Sequence, residues 1–126
     1  MSRLVSVTRA SVDVPSISLP EHEVLEGTRD ARCLFSAISR DRGAAAGLWS
    51  CEVGRYQFEF DYDEFFILLE GVLEIQQEGQ PPLHMQPGDT AHFPQGITTV
   101  WIVTKPLKKY FVARAPFAEP AESAEP

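Results

Sequence analysis

Cysteine is scarce in this 126-residue chain, and basic residues and long apolar runs are scarce as well. The two cysteines, Cys33 and Cys51, form no Cys-x-x-Cys pair and no disulfide framework, which predicts reduced thiols and a cytoplasmic protein. Lysine and arginine number 11 against 18 acidic residues, which gives a net charge of −7. Such a surface repels phosphate backbones and anionic lipids, so neither nucleic acid nor a membrane is an expected partner.

Targeting and membrane-spanning signals are also missing from the sequence. No stretch is apolar for long enough to cross a bilayer. Residues 1–9 are too polar and too interrupted for the apolar region of a secretory signal. Both observations favour the cytoplasmic assignment.

What the chain does contain is the pattern of many short strands. Ten prolines and eight glycines are spread along it, which favours strands and turns over long helices. Residues 55–62 alternate strictly, which predicts a half-buried strand with Tyr56, Phe58, Phe60 and Tyr62 on one face. Residues 65–69 are apolar on both faces, so we expect that strand to be covered on both sides. Further strands are predicted at residues 11–19 (an edge strand interrupted by Pro15), 72–77, 83–86, 90–93, 98–104 and 107–113, with loops at residues 43–47 and 105–106.

The domain organisation follows from where this strand pattern is regular. Strands at this spacing, with glycine and proline between them, predict an all-β sandwich or barrel. Residues 46–114 are predicted to form the barrel core, and residues 1–45 an irregular extension of edge strands and loops that packs on it. Residues 115–126 contain three glutamates and three prolines. A segment of that composition cannot bury a core, so we expect an acidic, disordered tail.

Two groups of residues in the predicted strand region have a regular spacing: Gly54, Glu64 and Gly71, and then Gly88, Pro94 and Gly96. The first group resembles the first motif of the cupin family and the second group resembles its second motif, in which Val103 stands where the family has asparagine. Gly71 and Gly88 are expected where the backbone needs angles that a Cβ atom disfavours. Within the cupins, the chain is similar to small ureidoglycine aminohydrolase-like members (cupin type 3), on four segments: residues 47–49, 63–71, 87–89 with 94–96, and 100–103 with 106–110.

This resemblance implies a fold and an activity. The expected fold class is all-β, a small cupin or jelly-roll β-barrel of two sheets, with the irregular N-terminal segment and disordered C-terminal tail already described. Family members often pair, so a homodimer is expected. The relatives are metal-dependent enzymes that act on small nitrogenous metabolites.

The metal ligands of that family are missing here. A cupin site needs two imidazoles at positions i and i+2 of one strand, which places both on the same face. Those positions hold Phe58 and Phe60, or Phe60 and Tyr62 in a shifted alignment, and Thr99 replaces the remaining histidine. Glu64 alone is retained, and one carboxylate with one hydroxyl is a poor site. The sequence therefore predicts no metal and no other cofactor.

The three histidines of the chain, His22, His84 and His92, match no ligand motif. They are read as surface histidines or as hydrogen-bonded core histidines. A non-standard site in which His84 and His92 meet across neighbouring strands stays open at this level.

Glu64 is the candidate catalytic residue. If it points into an aromatic-lined barrel, desolvation would raise its pKa and suit it to proton transfer. The alternative is a structural carboxylate bonded to the backbone or to a lysine or arginine. Lys109 alternates with apolar residues, so it either points inward toward Glu64 or an anionic ligand, or protects a solvated edge strand. Cys51 near Trp49 is a weaker candidate nucleophile, because no base has motif spacing to it.

The remaining candidates are pocket-lining residues whose alternative role is core packing. The full set of predicted ligand-binding residues is Trp49, Phe58, Phe60, Tyr62, Glu64, Thr99, Trp101 and Lys109. Three functions remain open: a metal-free barrel that binds a small polar or carboxylated metabolite; an enzyme of the ureidoglycine aminohydrolase-like type with Glu64 as proton handler; and a structural or regulatory dimeric module.

Overall fold

The computed structural model describes residues 5–115, so the predicted tail lies outside the described residues except for Ala115. The described chain is all-β, and its one helical element is a 3-10 turn at Glu21–Glu23. Among the described residues, no helix has the length and apolarity that crossing a bilayer requires. The strands are β1 (Ser16–Ser18), β2 (Val24–Glu26), β3 (Asp30–Ile38), β4 (Ala44–Cys51), β5 (Gly54–Glu59), β6 (Asp63–Gln76), β7 (Leu83–Met85), β8 (Thr90–Phe93) and β9 (Thr98–Arg114).

The long strand β9 organises the sheet. Its first part, up to Val103, pairs with β5, and its last part, from Leu107, pairs with β4. Strand β6 pairs with β9 along nearly its whole length and also carries β7 and β8. All of these pairs are antiparallel, and the sheet order β1-β3-β4-β9-β5-β2 is completed by β6 and its two short partners. The curled sheet confirms the predicted all-β barrel class.

Two predicted interruptions are absent from the structure. The predicted loop at residues 105–106 lies inside β9, and the strands predicted separately at residues 65–69 and 72–77 are one continuous strand, β6, which runs through Gly71. The register between β6 and β9 shifts between Leu68 and Leu73, so bulges absorb the irregularity. Pro106 has no N–H to donate, and it lies where β9 has left β5 and has not yet reached β4.

The predicted loop at residues 43–47 is also wrong. Strand β4 begins at Ala44 and is paired on both sides, with β3 and with β9. Gly47 and the small alanines before it allow this close pairing: a Cβ atom on Gly47 would lie 2.1 Å from the carbonyl oxygen of Leu34. The small residues that favoured a loop in the sequence therefore permit tight packing between two strands.

The core lies on the inner face of the curled sheet. Tyr56, Leu68 and Trp101 are completely buried there. The predicted strand at residues 55–62 is shorter than expected, since β5 ends at Glu59, while the alternation of buried side chains continues to Phe60. For residues 65–69 the prediction of burial on both faces holds only on the inner face: Phe66 is buried, but Phe65 on the outer face is 46% exposed.

Candidate functional site

A cavity of about 850 Å³ opens on the inner face of the sheet, and we call it the first cavity. Strands β1, β3, β4, β5, β6 and β9 all contribute side chains to its wall. Phe35 and Ile38 of β3 line it and are 60% and 54% exposed, so its rim reaches solvent. Most of the lining is apolar or aromatic, which is the usual character of a small-molecule pocket.

A buried ion pair lies in the wall of this cavity. The Nζ atom of Lys109 donates a hydrogen bond to Oε2 of Glu64, and the two residues are only 5% and 4% exposed. The pairing follows from register, because Glu64 stands opposite Ala113 and Leu68 stands opposite Lys109 where β6 and β9 run side by side. Residues two apart on a strand share a face, so both charged side chains point inward.

Aromatic rings surround the ammonium group of Lys109. Its Nζ atom lies 4.8 Å from the ring centroids of Trp49, Phe66 and Trp101, and 5.8 Å from that of Phe111. Cations over ring faces at these distances are attracted by the ring quadrupole. The rings and Glu64 together replace the water that the ammonium loses on burial, which is the condition for keeping a charge inside a protein.

Two further polar groups lie in the field of this pair. The hydroxyl of Tyr62 donates to Oε1 of Glu64 over 3.4 Å. Burial raises the pKa of Tyr62, and the carboxylate of Glu64 raises it further. The Cys33 thiol also lines the cavity; burial raises its pKa, Lys109 acts to lower it, and Glu64 acts to raise it. Amine, carboxylate, phenol and thiol are thus grouped in one largely apolar space.

The first cavity collects nearly all of the predicted site residues. Seven of the eight line it: Trp49, Phe58, Phe60, Tyr62, Glu64, Trp101 and Lys109. The eighth, Thr99, is buried and lines a second cavity of about 590 Å³ instead. Its hydroxyl accepts a hydrogen bond from Nε1 of Trp101 over 3.0 Å, so this bond joins the walls of the two cavities.

The sequence left two interpretations each for Lys109 and Glu64, and a nucleophilic role for Cys51. The edge-strand interpretation of Lys109 is wrong, because β9 is paired on both sides and Lys109 points inward to Glu64. Glu64 has the lysine partner expected of a structural carboxylate, and it also faces the cavity. Cys51 is buried, and desolvation raises the pKa of its thiol to about 12, which does not suit a nucleophile.

The side chains at the usual cupin metal positions do not fit a metal ion. Phe58 and Phe60 present rings that have no lone pair for a divalent cation, and the carboxylate of Glu64 is bonded to an ammonium group. In the described part of the chain, no three His, Cys, Asp or Glu side chains are grouped for metal binding.

The two strand histidines each have an acidic neighbour on the protein surface. Nε2 of His84 lies 3.2 Å from Oε1 of Glu74, and Nε2 of His92 lies 3.4 Å from Oδ1 of Asp63. The His92 ring also stacks on Phe65, with centroids 4.3 Å apart. Both histidines are exposed, so they match the surface interpretation rather than that of a buried core group.

Sequence reasoning missed several residues of the first cavity. One is Phe111, which alternates with Lys109 on β9, so period two alone could have placed it beside the pair. Phe66 alternates with Glu64 in the same way, and its ring contacts Lys109 although it is not part of the cavity lining. No sequence signal pointed to Cys33. Its strand, β3, pairs with β4, and β4 in turn pairs with β9, which carries Lys109. The charged residues of the lining that were missed are Glu23, Arg42, Glu59 and Asp61.

Comparison with known proteins gives a family for this chain. Residues 38–111, more than half of the sequence, match the model of the EutQ-like cupin domain. This segment contains Trp49, Phe58, Glu64 and Lys109. No curated protein matches the chain at a significant level.

Solved structures with a similar fold come from several bacteria. The EutQ protein of Clostridium difficile is 14% identical, with a TM-score of 0.59 over 79% of this chain and 81% of that one. A EutQ candidate from Salmonella typhimurium is 22% identical, with a TM-score of 0.59 over 67% and 68% of the two chains. A Pseudomonas syringae protein of the DUF861 family is 18% identical, with a TM-score of 0.75 over 82% of this chain and 45% of that one. At these identities the likeness shows the fold alone.

Proposed function

We propose that this chain, which belongs to the EutQ-like cupin domain family, binds a small polar molecule in its first cavity without a metal. One observation carries the proposal: the Lys109–Glu64 pair lies in the wall of a cavity of about 850 Å³ that is otherwise mostly apolar. A few polar groups in an apolar wall are what orients a small ligand. The aromatic wall would hold its apolar part.

The charged residues of the cavity lining indicate whether the ligand is charged or uncharged. Four carboxylates line the cavity against two basic groups: Glu23, Glu59, Asp61 and Glu64 against Arg42 and Lys109. Because Lys109 is already neutralised by Glu64, a carboxylated ligand would meet a net negative wall. Of the two ligand classes, polar or carboxylated, this balance favours the polar, uncharged one.

A thermal-shift panel followed by calorimetry tests the proposal. The panel contains small alcohols, aldehydes, amides, amines and carboxylates that carry either an alkyl or an aromatic group. We expect uncharged members to raise the melting temperature and carboxylates of the same size to raise it less. If no member of a broad panel shifts the melting temperature, the proposal is rejected.

Neighbouring alanines supply a matched control. Ala45 lines the first cavity, whereas the next residue, Ala46, is absent from its lining. Ala45→Phe should fill the space and abolish the ligand-induced shift, and Ala46→Phe should leave that shift in place. Equal loss in both variants would mean that the ligand binds elsewhere.

A second candidate function is an enzyme that acts on a small nitrogenous metabolite, with Glu64 as the proton handler. The specific observation in its favour is that Tyr62 and Lys109 both bond to the Glu64 carboxylate, which links three groups able to exchange protons. Glu64→Gln should abolish turnover of an active substrate. Because Lys109 would lose its counter-charge, this variant should also lower the melting temperature, so the control is Glu59→Gln at the cavity lining.

A third candidate is a dimeric structural or regulatory module. An apolar strip on the outer face of β6 and β9 consists of Phe65, Tyr110 and Val112, which are 46%, 41% and 37% exposed. Burial of such a strip between two copies would explain an apolar outer face. Light scattering checks this: a monomer mass at micromolar concentration would remove the dimer from consideration.

A further inference from the structure

The amine of Lys109 has a second use in the same cavity. We propose that Lys109 condenses with a small uncharged aldehyde or ketone to form a reversible imine. This inference rests on the proposed function, since the carbonyl compound must enter the first cavity. Its basis is that Lys109 lines that cavity and that its Nζ atom lies 4.8 Å from the rings of two other lining residues, Trp49 and Trp101. The Glu64 carboxylate accepts a hydrogen bond from Nζ, and the Tyr62 phenol donates to the same carboxylate.

The Glu64 partner provides the route to a nucleophilic amine. An ammonium group has no lone pair, so it must lose a proton before it attacks a carbonyl carbon. Transfer of that proton from Nζ to Glu64 converts an ion pair into a neutral amine and a neutral acid. In a buried site this exchange removes two desolvated charges together, which offsets part of its electrostatic cost. Water is not needed as the acceptor.

The proton and atom balance closes within the site. The Nζ lone pair attacks the carbonyl carbon, a C–N bond forms, and the carbonyl oxygen takes the proton held by Glu64. The nitrogen then gives a second proton to Glu64, which passes it to the hydroxyl group, and the C–O bond breaks to release water. Of the three ammonium protons, two leave in water and one remains on the iminium nitrogen. No oxidant or reductant is involved.

The aromatic rings around Nζ suit the product as well as the free amine. Trp49, Phe66 and Trp101 each lie 4.8 Å from that atom. An iminium nitrogen is a cation at the same position, so the same ring faces stabilise it. The negative lining disfavours keto acids, and the apolar wall favours a carbonyl compound that carries an alkyl or aromatic group.

Reductive trapping tests the proposal on the full chain. The protein is incubated with benzaldehyde and sodium cyanoborohydride, and the benzylated positions are mapped by peptide mass spectrometry. The sequence has three lysines, Lys105, Lys108 and Lys109, so the other two serve as internal references. We expect Lys109 to be modified at least about tenfold faster than Lys105. In urea, where the cavity is lost, the three rates should become similar.

Two variants and one further ligand separate the possible outcomes. Lys109→Arg should lose the adduct while Lys105 and Lys108 react as before, and Glu64→Gln should slow the reaction of Lys109 selectively. Benzyl alcohol has the same ring but no carbonyl group, so it reports binding alone. A melting-temperature increase with benzyl alcohol but no preference for Lys109 rejects the imine and keeps the binding function. No preference and no increase reject both, and modification of Lys105 and Lys108 only also overturns the imine.

Discussion

The two cavities share β9, yet they are built from different chemistry. The first contains a buried ion pair and an aromatic wall around it. The second, of about 590 Å³, also has apolar side chains in its lining, but its polar groups are exposed ones such as His84 and Asp89 and the buried hydroxyl of Thr99. Thr99 of the second cavity and Trp101 of the first are two residues apart on β9, and a hydrogen bond joins them. Burying a charge costs far more free energy than keeping one at the surface, so the two cavities should differ most in how strongly their charged residues affect stability.

The largest expected effect comes from removing one member of the buried pair. Lys109→Met leaves the buried Glu64 carboxylate without its counter-charge, so the free energy of unfolding should fall by about 3–5 kcal/mol. Chemical denaturation measures this. The double variant Glu64→Gln/Lys109→Met removes both charges and should recover much of the loss. Lys108→Met, next in sequence and only half-buried, is the control, and an equal loss there would contradict the assignment.

The second largest effect should come from the bond that joins the two walls. Thr99→Val keeps the shape of the side chain but leaves the buried Nε1–H of Trp101 without its acceptor, at a cost of about 1–3 kcal/mol. The exposed neighbour Thr98 gives the matched variant Thr98→Val, which should cost far less. If the two variants unfold alike, the hydrogen bond does not stabilise the fold.

A pH dependence should distinguish the first cavity as well. The pKa of Tyr62 is raised by burial and by Glu64, so the folded protein holds the phenolic proton more tightly than the unfolded chain. Below about pH 10 both states are protonated and this contribution is complete; above it the unfolded chain loses its proton first, so stability falls. Tyr62→Phe should flatten this alkaline decline. Tyr110→Phe, on the outer face, controls for the loss of a phenol elsewhere; a decline unchanged by Tyr62→Phe would contradict the prediction.

The smallest effect is expected at the second cavity. His84 pairs with Glu74 on the surface, and its side chain is 71% exposed. Exposed pairs of this kind contribute about 0–1 kcal/mol, so His84→Ala should change the unfolding free energy by less than about 1 kcal/mol. Denaturation at low and at moderate salt measures it. If His84→Ala lowers the free energy of unfolding as much as Lys109→Met does, the two cavities do not differ in the way proposed.

Gly71 and Gly88 show which structural features a local sequence pattern can predict and which it cannot. Both have the positive φ that was predicted, +106° at Gly71 and +96° at Gly88. Their surroundings differ: a Cβ atom on Gly71 would lie 2.6 Å from the carbonyl oxygen of Pro106, whereas nothing lies within 4 Å at Gly88. The sequence indicated the backbone angle at each position. It could not indicate that Gly71 marks a bulge in a continuous strand, because the close contact comes from β9.

Period-two alternation decides which face of a strand each residue occupies, so local pattern was enough for the all-β class, for most strand positions and for seven of the eight predicted site residues that line the first cavity. The contact between Lys109 and Glu64, and the position of Cys33 beside them, came only from the folded arrangement. These contacts depend on the register between β6 and β9 and on the curvature of the sheet, which brings β3 and β4 to the site. Both are set by pairing between residues far apart in the chain, which no local pattern encodes.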